Sequence, residues 1–154
     1  MPLISFVTQI HAPIELCFDL ARSIELHVRS TQGTDEKPVA GVMSGLIGLD
    51  QEVTWEATHF GVRQRLTSRI TAFDRPHSFR DSQVRGIFRR FDHDHLFSTE
   101  MGVTVMKDVF DYDGPLGLLG KLADVLFLEQ HMRKLLQKRA SVVKAAAEAG
   151  EKPF

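Results

Sequence analysis

The feature that most constrains the fold is a series of strand-like segments between Val39 and Tyr112, joined by connections of only a few residues. The first two clear segments, Val53–Phe60 and Val62–Phe73, flank Gly61, which predicts a hairpin turn. Further segments follow at 78–87, 88–100 and 103–112. Parallel neighbours would need long crossover connections, so these strands are predicted to pair antiparallel.

Helical signals flank this region on both sides. Leu3–Ile10 alternates like a strand, and Pro13 then suits the start of a short helix whose apolar side carries Leu16, Cys17 and Leu20. Ser23 is placed to cap a second short helix, and the polar segment 30–38 is predicted to be a loop.

The last element is a long amphipathic helix. It is predicted to start near Pro115 and to end at Gly150, with a frayed tail over 150–154. Its apolar stripe recurs at helical spacing and comprises Leu118, Leu122, Val125, Met132, Leu136 and Val143.

Together these elements predict a single domain over residues 1–154 in the α+β class. The expected architecture is a helix-grip fold, in which a curved antiparallel sheet of about seven strands wraps around the long C-terminal helix, with two short helices after the first strand. A curved sheet and a straight helix cannot touch everywhere, so a cavity is expected between them.

Composition excludes several classes of protein. The 154 residues carry a net charge of −1, which argues against a dedicated nucleic-acid binder. The single cysteine, Cys17, excludes an internal disulfide and a cysteine-rich zinc site. The first residues lack the pattern of a signal peptide, so a cytoplasmic location is expected.

Short strings along the whole chain resemble the START-like, or SRPBCC, superfamily, and within it small bacterial proteins described as polyketide cyclase/dehydrase-like or as cell division proteins. The strings are 40–42, 53–55, 59–61, 79–81, 86–88, 93–97, 106–108 and 115–117. The resemblance implies a cavity for a small hydrophobic or amphipathic ligand, with relatives that include lipid carriers, hormone binders and aromatase/cyclases.

Strand alternation sorts the polar candidates by face. His93 and His95 share a face with Phe91 and Phe97, which leaves Asp92 and Asp94 to solvent. By the same alternation, Asp81 faces inward with Phe79. The even-numbered residues of 104–112, which include Met106, Asp108 and Phe110, also face inward. A buried carboxylate needs a partner, so His93, His95, Asp81 and Asp108 are predicted to form one polar cluster.

The cluster admits several interpretations. It could orient a ligand's carbonyl or hydroxyl group, transfer protons, or serve only as an internal hydrogen-bond network. A His-x-His strand also presents two imidazoles at a spacing that metal ions use, although we predict no metal site and no cofactor.

The expected function is binding or transport of a small hydrophobic ligand, of lipid, isoprenoid or polyketide type. The alternative is a cyclase or dehydratase in which His93 or His95 works with Asp81 or Asp108, with or without a metal ion. Predicted ligand-binding residues are Trp55, His59, Phe79, Asp81, Phe91, His93, His95, Phe97, Met106, Asp108, Phe110 and Leu122. The remaining histidines, including His27 and His131, show no role in the sequence.

Eight arginines and two aspartates between Arg63 and Arg90 give that stretch a net charge of +6. Arg63, Arg65 and Arg69 are predicted to lie on the outward face of one strand, as a solvated surface that discourages edge aggregation. Contact with an anionic membrane surface is the alternative, and nucleic acid is not expected because no aromatic residues lie between these arginines on that face.

Overall fold

The computed structural model describes residues 3–114 and 122–153, and in the second range it describes side chains from residue 126 onward. Within these ranges the elements are β1 (Leu3–Ile10), α1 (Ile14–Ala21), α2 (Ile24–Ser30), β2 (Lys37–Gly41), β3 (Glu52–His59), β4 (Val62–Asp74), β5 (Ser78–Arg85), β6 (Arg90–Glu100), β7 (Val103–Asp113) and α3 (Leu122–Glu148). A single 3₁₀ turn lies at Gln32–Thr34.

The strands form one antiparallel sheet in the order β1-β7-β6-β5-β4-β3-β2, which confirms the predicted fold class and the number of strands. Two-residue turns join two pairs of consecutive strands. Phe60 and Gly61, with φ of 52° and 76°, connect β3 to β4, as two-residue hairpin turns require. Met101 and Gly102, with φ of 51° and 79°, connect β6 to β7 in the same way.

The short helices α1 and α2 cover one end of the concave face. Pro13 precedes the first residue of α1, and the Ser23 hydroxyl accepts a hydrogen bond from the Leu26 N–H at 3.2 Å, as predicted. Phe18 of α1 is fully buried, and its ring meets three phenylalanines of the sheet edge to face at 5.2–5.4 Å: Phe73, Phe79 and Phe97. These aromatic side chains fill the space between α1 and the sheet, and we call this region the packed end.

The long helix α3 packs its inward side against β1, α1 and α2. That side carries the buried residues Leu136, Ala140, Val143, Ala146 and Ala147. The predicted start at Pro115 and the stripe residue Leu118 lie outside the described residues, as do the side chains of Leu122 and Val125.

Gly150, with φ of +70°, ends the helix, and its N–H bonds to the Ala147 carbonyl. The residue after it contacts α2. The Glu151 carboxylate accepts two hydrogen bonds from Arg29 at 2.9 and 3.0 Å, which ties the tail to α2.

The outward face of the sheet carries ion pairs. Arg63, Arg65 and Arg69 are exposed, as predicted, and they bond to Glu56 and Glu52 on the neighbouring strand β3. Neighbouring carboxylates therefore offset the positive charge of these arginines.

Within the described ranges, no helix combines the length and the apolar character needed to cross a bilayer.

Candidate functional site

A cavity of about 540 Å³ lies between the concave face of the sheet and α3. Its walls are mainly apolar and come from α2, β3, β4, β5, β6, β7 and α3. The principal apolar side chains are Val53, Trp55, Leu66, Ile70, Phe79, Phe91, Phe110, Leu128, Met132 and Leu136. A cavity of this volume and character suits a small organic molecule.

Small side chains occupy two of the inward positions of the sheet that line the cavity. Ala57 and Ser68 both line it, on β3 and β4 respectively, and both are buried. In β3, alternation turns Val53, Trp55 and Ala57 inward together. Larger side chains at 57 and 68 would fill part of the space between the sheet and α3.

The four predicted polar residues are in mutual contact and form what we call the His-Asp cluster: Asp81, His93, His95 and Asp108. His93 Nε2 lies 2.9 Å from Asp108 Oδ1, and His95 Nε2 lies 3.0 Å from Asp81 Oδ2. The two imidazole rings are 3.9 Å apart between their centroids. They lie between the two carboxylates, because the second nitrogen of each ring faces the other carboxylate at 3.4 or 3.9 Å.

Strand register produces this arrangement. Asp81 of β5 is directly opposite His93 of β6, and Asp108 of β7 is directly opposite His95. The shorter contacts run diagonally, from each histidine to the carboxylate opposite the other histidine. Three adjacent strands therefore hold the cluster with no contribution from a loop.

The electrostatics of the cluster favour ionised carboxylates and a neutral His95. Burial, and after it the charge of His93, lower the pKa of His95 to about 4. Burial raises the pKa of Asp81, but the hydrogen bond from His95 and the charge of His93 outweigh burial and leave the pKa below its usual value. A neutral imidazole has one N–H, which His95 donates from Nε2 to Asp81.

This burial predicts a loss of stability below neutral pH. The pKa values of His27, His59, His95 and His131 are all lowered, and burial is the first cause in each. Below about pH 6.5 these histidines bind protons more readily in the unfolded chain than in the folded one. The free energy of unfolding should therefore decrease as the pH falls from about 6.5 towards 4, the folded-state value for His95.

Urea unfolding at pH 5 and pH 7 measures this effect. Equal free energies of unfolding at the two pH values would contradict the assignment of neutral buried histidines. A His77→Gln variant, which changes an exposed histidine, should keep the wild-type pH dependence.

Seven of the predicted ligand-binding residues line the cavity: Trp55, His59, Phe79, Asp81, Phe91, His93 and Phe110. Four others do not line it: His95, Phe97, Met106 and Asp108. The side chain of Leu122 lies outside the described residues.

Residues of β6 differ in whether they reach the cavity, because one part of its inward face lines the cavity and another part belongs to the packed end, against α1. Phe91 and His93 face the cavity, whereas Phe97 contacts Phe18 of α1. His95 is covered by Phe79, whose ring stacks on it with 4.2 Å between the ring centroids.

A second polar group at the cavity wall had no signal in the sequence. His27 of α2 bonds through Nε2 to Glu36, and its ring stacks on Trp55 with centroids 4.0 Å apart. The Arg139 side chain of α3 also lines the cavity and donates a hydrogen bond to the Ala21 carbonyl at 3.2 Å. Arg139 lies three residues after Leu136 and four before Val143, so the helical stripe could have placed it inward.

A third polar contact joins the sheet to the helix across the cavity. His59 Nδ1 of β3 lies 3.0 Å from His131 Nε2 of α3. Phe60 and Phe127, each more than half exposed, pack beside this pair with ring centroids 5.2 Å apart. His59 and His131 therefore link the β3–β4 hairpin to α3.

The alternative in which His93 and His95 bind a metal ion requires a third ligand near the two histidines, and Asp81 lies close to both. Asp81, His93 and His95 each offer one ligand atom, and these atoms lie within 4.8 Å of one another. In the described structure all three residues take part in hydrogen bonds of the His-Asp cluster.

Comparison with solved structures identifies the architecture. A structure of TTHA0849 from Thermus thermophilus superposes with a TM-score of 0.72 at 21% identity, over 95% of this chain and 99% of that chain. A START superfamily protein from Mycobacterium smegmatis superposes with a TM-score of 0.69 at 9% identity, over 96% and 97%. The fold is the helix-grip fold of the START superfamily.

The START-like fold also occurs in a plant structure that this chain resembles. Ginseng major latex-like protein 151 from Panax ginseng superposes with a TM-score of 0.65 at 14% identity, over 95% of this chain and 97% of that chain. No protein-family model and no curated protein matches the sequence. The comparisons therefore establish the START-like fold, and the function has to be argued from the cavity itself.

Proposed function

We propose that this START-like protein binds a small, mostly apolar organic molecule in the cavity between the sheet and α3. The observation that carries the proposal is the cavity of about 540 Å³, which combines apolar walls with a few polar side chains. Apolar ligands gain roughly 25 cal/mol for each Å² removed from water, so such walls favour an organic ligand over water. The polar side chains would set its orientation.

The test is titration with N-phenyl-1-naphthylamine, a neutral apolar dye whose emission rises when it leaves water. The proposal expects saturable binding with one site per chain. It also expects quenching or a shift of the emission of Trp55, which is the only tryptophan and lines the cavity. No saturable binding, or binding that leaves the Trp55 emission unchanged, would contradict it.

A second candidate function is acid–base catalysis on the bound molecule, favoured by the environment of His93. This residue lines the cavity while its Nε2 is fixed 2.9 Å from the buried Asp108 carboxylate. In its neutral form His93 donates Nε2–H to Asp108 and keeps a lone pair on Nδ1. A base held by a carboxylate in this way can take a proton from a bound ketone and return it, as cyclase or dehydratase chemistry requires.

The test uses exchange of the α-protons of 2-tetralone in D₂O, followed by NMR. The enolate formed when His93 takes the α-proton would be quenched by deuterium. Catalysis expects saturable exchange that a His93→Gln variant loses and a His77→Gln variant keeps. Exchange at the buffer rate, or equal exchange in both variants, would contradict a catalytic role for His93.

A further inference from the structure

Apart from two arginines that are paired with carboxylates outside the cavity, the charged side chains at the cavity wall are more negative than positive. Two carboxylates, Glu36 and Asp81, line the cavity, and a third, Asp108, lies behind His93 at 2.9 Å. The facing cation is Arg139, which also lines the cavity. Two other arginines line it but are paired elsewhere, because Arg22 bonds to Asp19 and Arg65 bonds to Glu56.

The charge of Arg139 is shared among all three carboxylates. It contributes to lowering the pKa of each one, with burial as the first, opposing influence. His27 and His95 are neutral at pH 7, because burial lowers their pKa values. Even with His93 counted as a cation, the group retains a net negative charge.

The available hydrogen-bonding atoms are mainly acceptors. His27 uses Nε2–H for Glu36, so in the neutral ring Nδ1 is an acceptor. This Nδ1 is buried and has no hydrogen-bond partner among the described residues. The carboxylates of Asp81 and Glu36, which line the cavity, offer acceptors to a ligand group that can donate.

We propose that the head group of the bound molecule is an uncharged hydroxyl, and that the cavity rejects the corresponding carboxylate. This inference rests on the proposed function and defines its ligand class. A hydroxyl can donate to the carboxylate of Glu36 or Asp81 without bringing a charge into the apolar cavity. A carboxylate would bring a further negative charge towards side chains whose negative charges already outnumber the positive charge of Arg139.

The experiment compares dodecan-1-ol with dodecanoate, which share one alkyl chain length, by displacement of N-phenyl-1-naphthylamine at pH 8. The wild-type protein should bind the alcohol at least tenfold more tightly. A Glu36→Gln variant should narrow this ratio at least threefold, whereas Glu100→Gln, an exposed residue at the end of β6, should leave it unchanged.

The double variant Glu36→Gln/Asp81→Asn should remove the preference for the alcohol over the carboxylate. It leaves Arg139 opposed by Asp108 alone, so dodecanoate should bind at least as tightly as dodecan-1-ol. The single Glu36→Gln variant keeps the proposal testable if the double variant does not fold. Equal affinities in the wild-type protein, or tighter binding of dodecanoate, would overturn the head-group inference while leaving the proposed function intact. Failure of the dye to bind would count against the proposed function instead.

Discussion

An Ala57→Trp variant should bind N-phenyl-1-naphthylamine at least about 100-fold more weakly than the wild-type protein, a loss of about 2.7 kcal/mol. Ala57 is buried on the inward face of β3, between Trp55 and His59, and lines the cavity. An indole at this position would occupy the space that the ligand needs. Dye titration by fluorescence measures the effect.

The matched control is Ala72→Trp, which places the same side chain at an exposed position of β4. It should bind the dye with wild-type affinity. Met132→Trp provides a second way to fill the cavity, from α3, if the variant at 57 is poorly folded. Wild-type affinity in a folded Ala57→Trp protein would show that the dye binds elsewhere.

An Asp108→Ala variant should lower the free energy of unfolding by about 3–5 kcal/mol. The Asp108 carboxylate is 5% exposed and is the closest partner of His93, at 2.9 Å. Its removal leaves a buried imidazole N–H without an acceptor. Since small domains are typically stable by about 5–15 kcal/mol, urea denaturation should show a large shift of the midpoint.

Asp94→Ala is the matched control for this prediction. Asp94 accepts two hydrogen bonds from Arg80 at 2.7 and 2.9 Å, but both side chains of this pair are partly exposed to solvent. An exposed pair contributes about 0–1 kcal/mol, so this variant should unfold close to the wild-type midpoint. Similar losses in both variants would show that burial of the His-Asp cluster has no special energetic role.

Much of the fold and of the His-Asp cluster could be predicted because both depend on alternation within strands. The two-residue period turns His93 and His95 inward with Phe91, and the same period turns Asp81 and Asp108 inward on the neighbouring strands. Short turns at Gly61 and Gly102 required antiparallel neighbours. The register then placed each carboxylate opposite a histidine.

The limits of the cavity could not be predicted, because they depend on where α1 packs across the sheet. His95 and Phe97 are inward-facing like His93, but Phe79 and Phe18 cover them. The pairing of His27 with Glu36 joins a helix to the residue before β2 and depends on the position of Trp55. No local pattern encodes such contacts between separate elements.

The most direct test of ligand binding in the cavity is an amide shift map of the ¹⁵N-labelled protein titrated with N-phenyl-1-naphthylamine. We predict that the indole N–H of Trp55 shifts most, together with amides of β3, β5 and α3 beside the cavity. Shifts concentrated at Met101 and Gly102, in a turn that does not line the cavity, would contradict it, as would an unchanged Trp55 indole at two equivalents of dye.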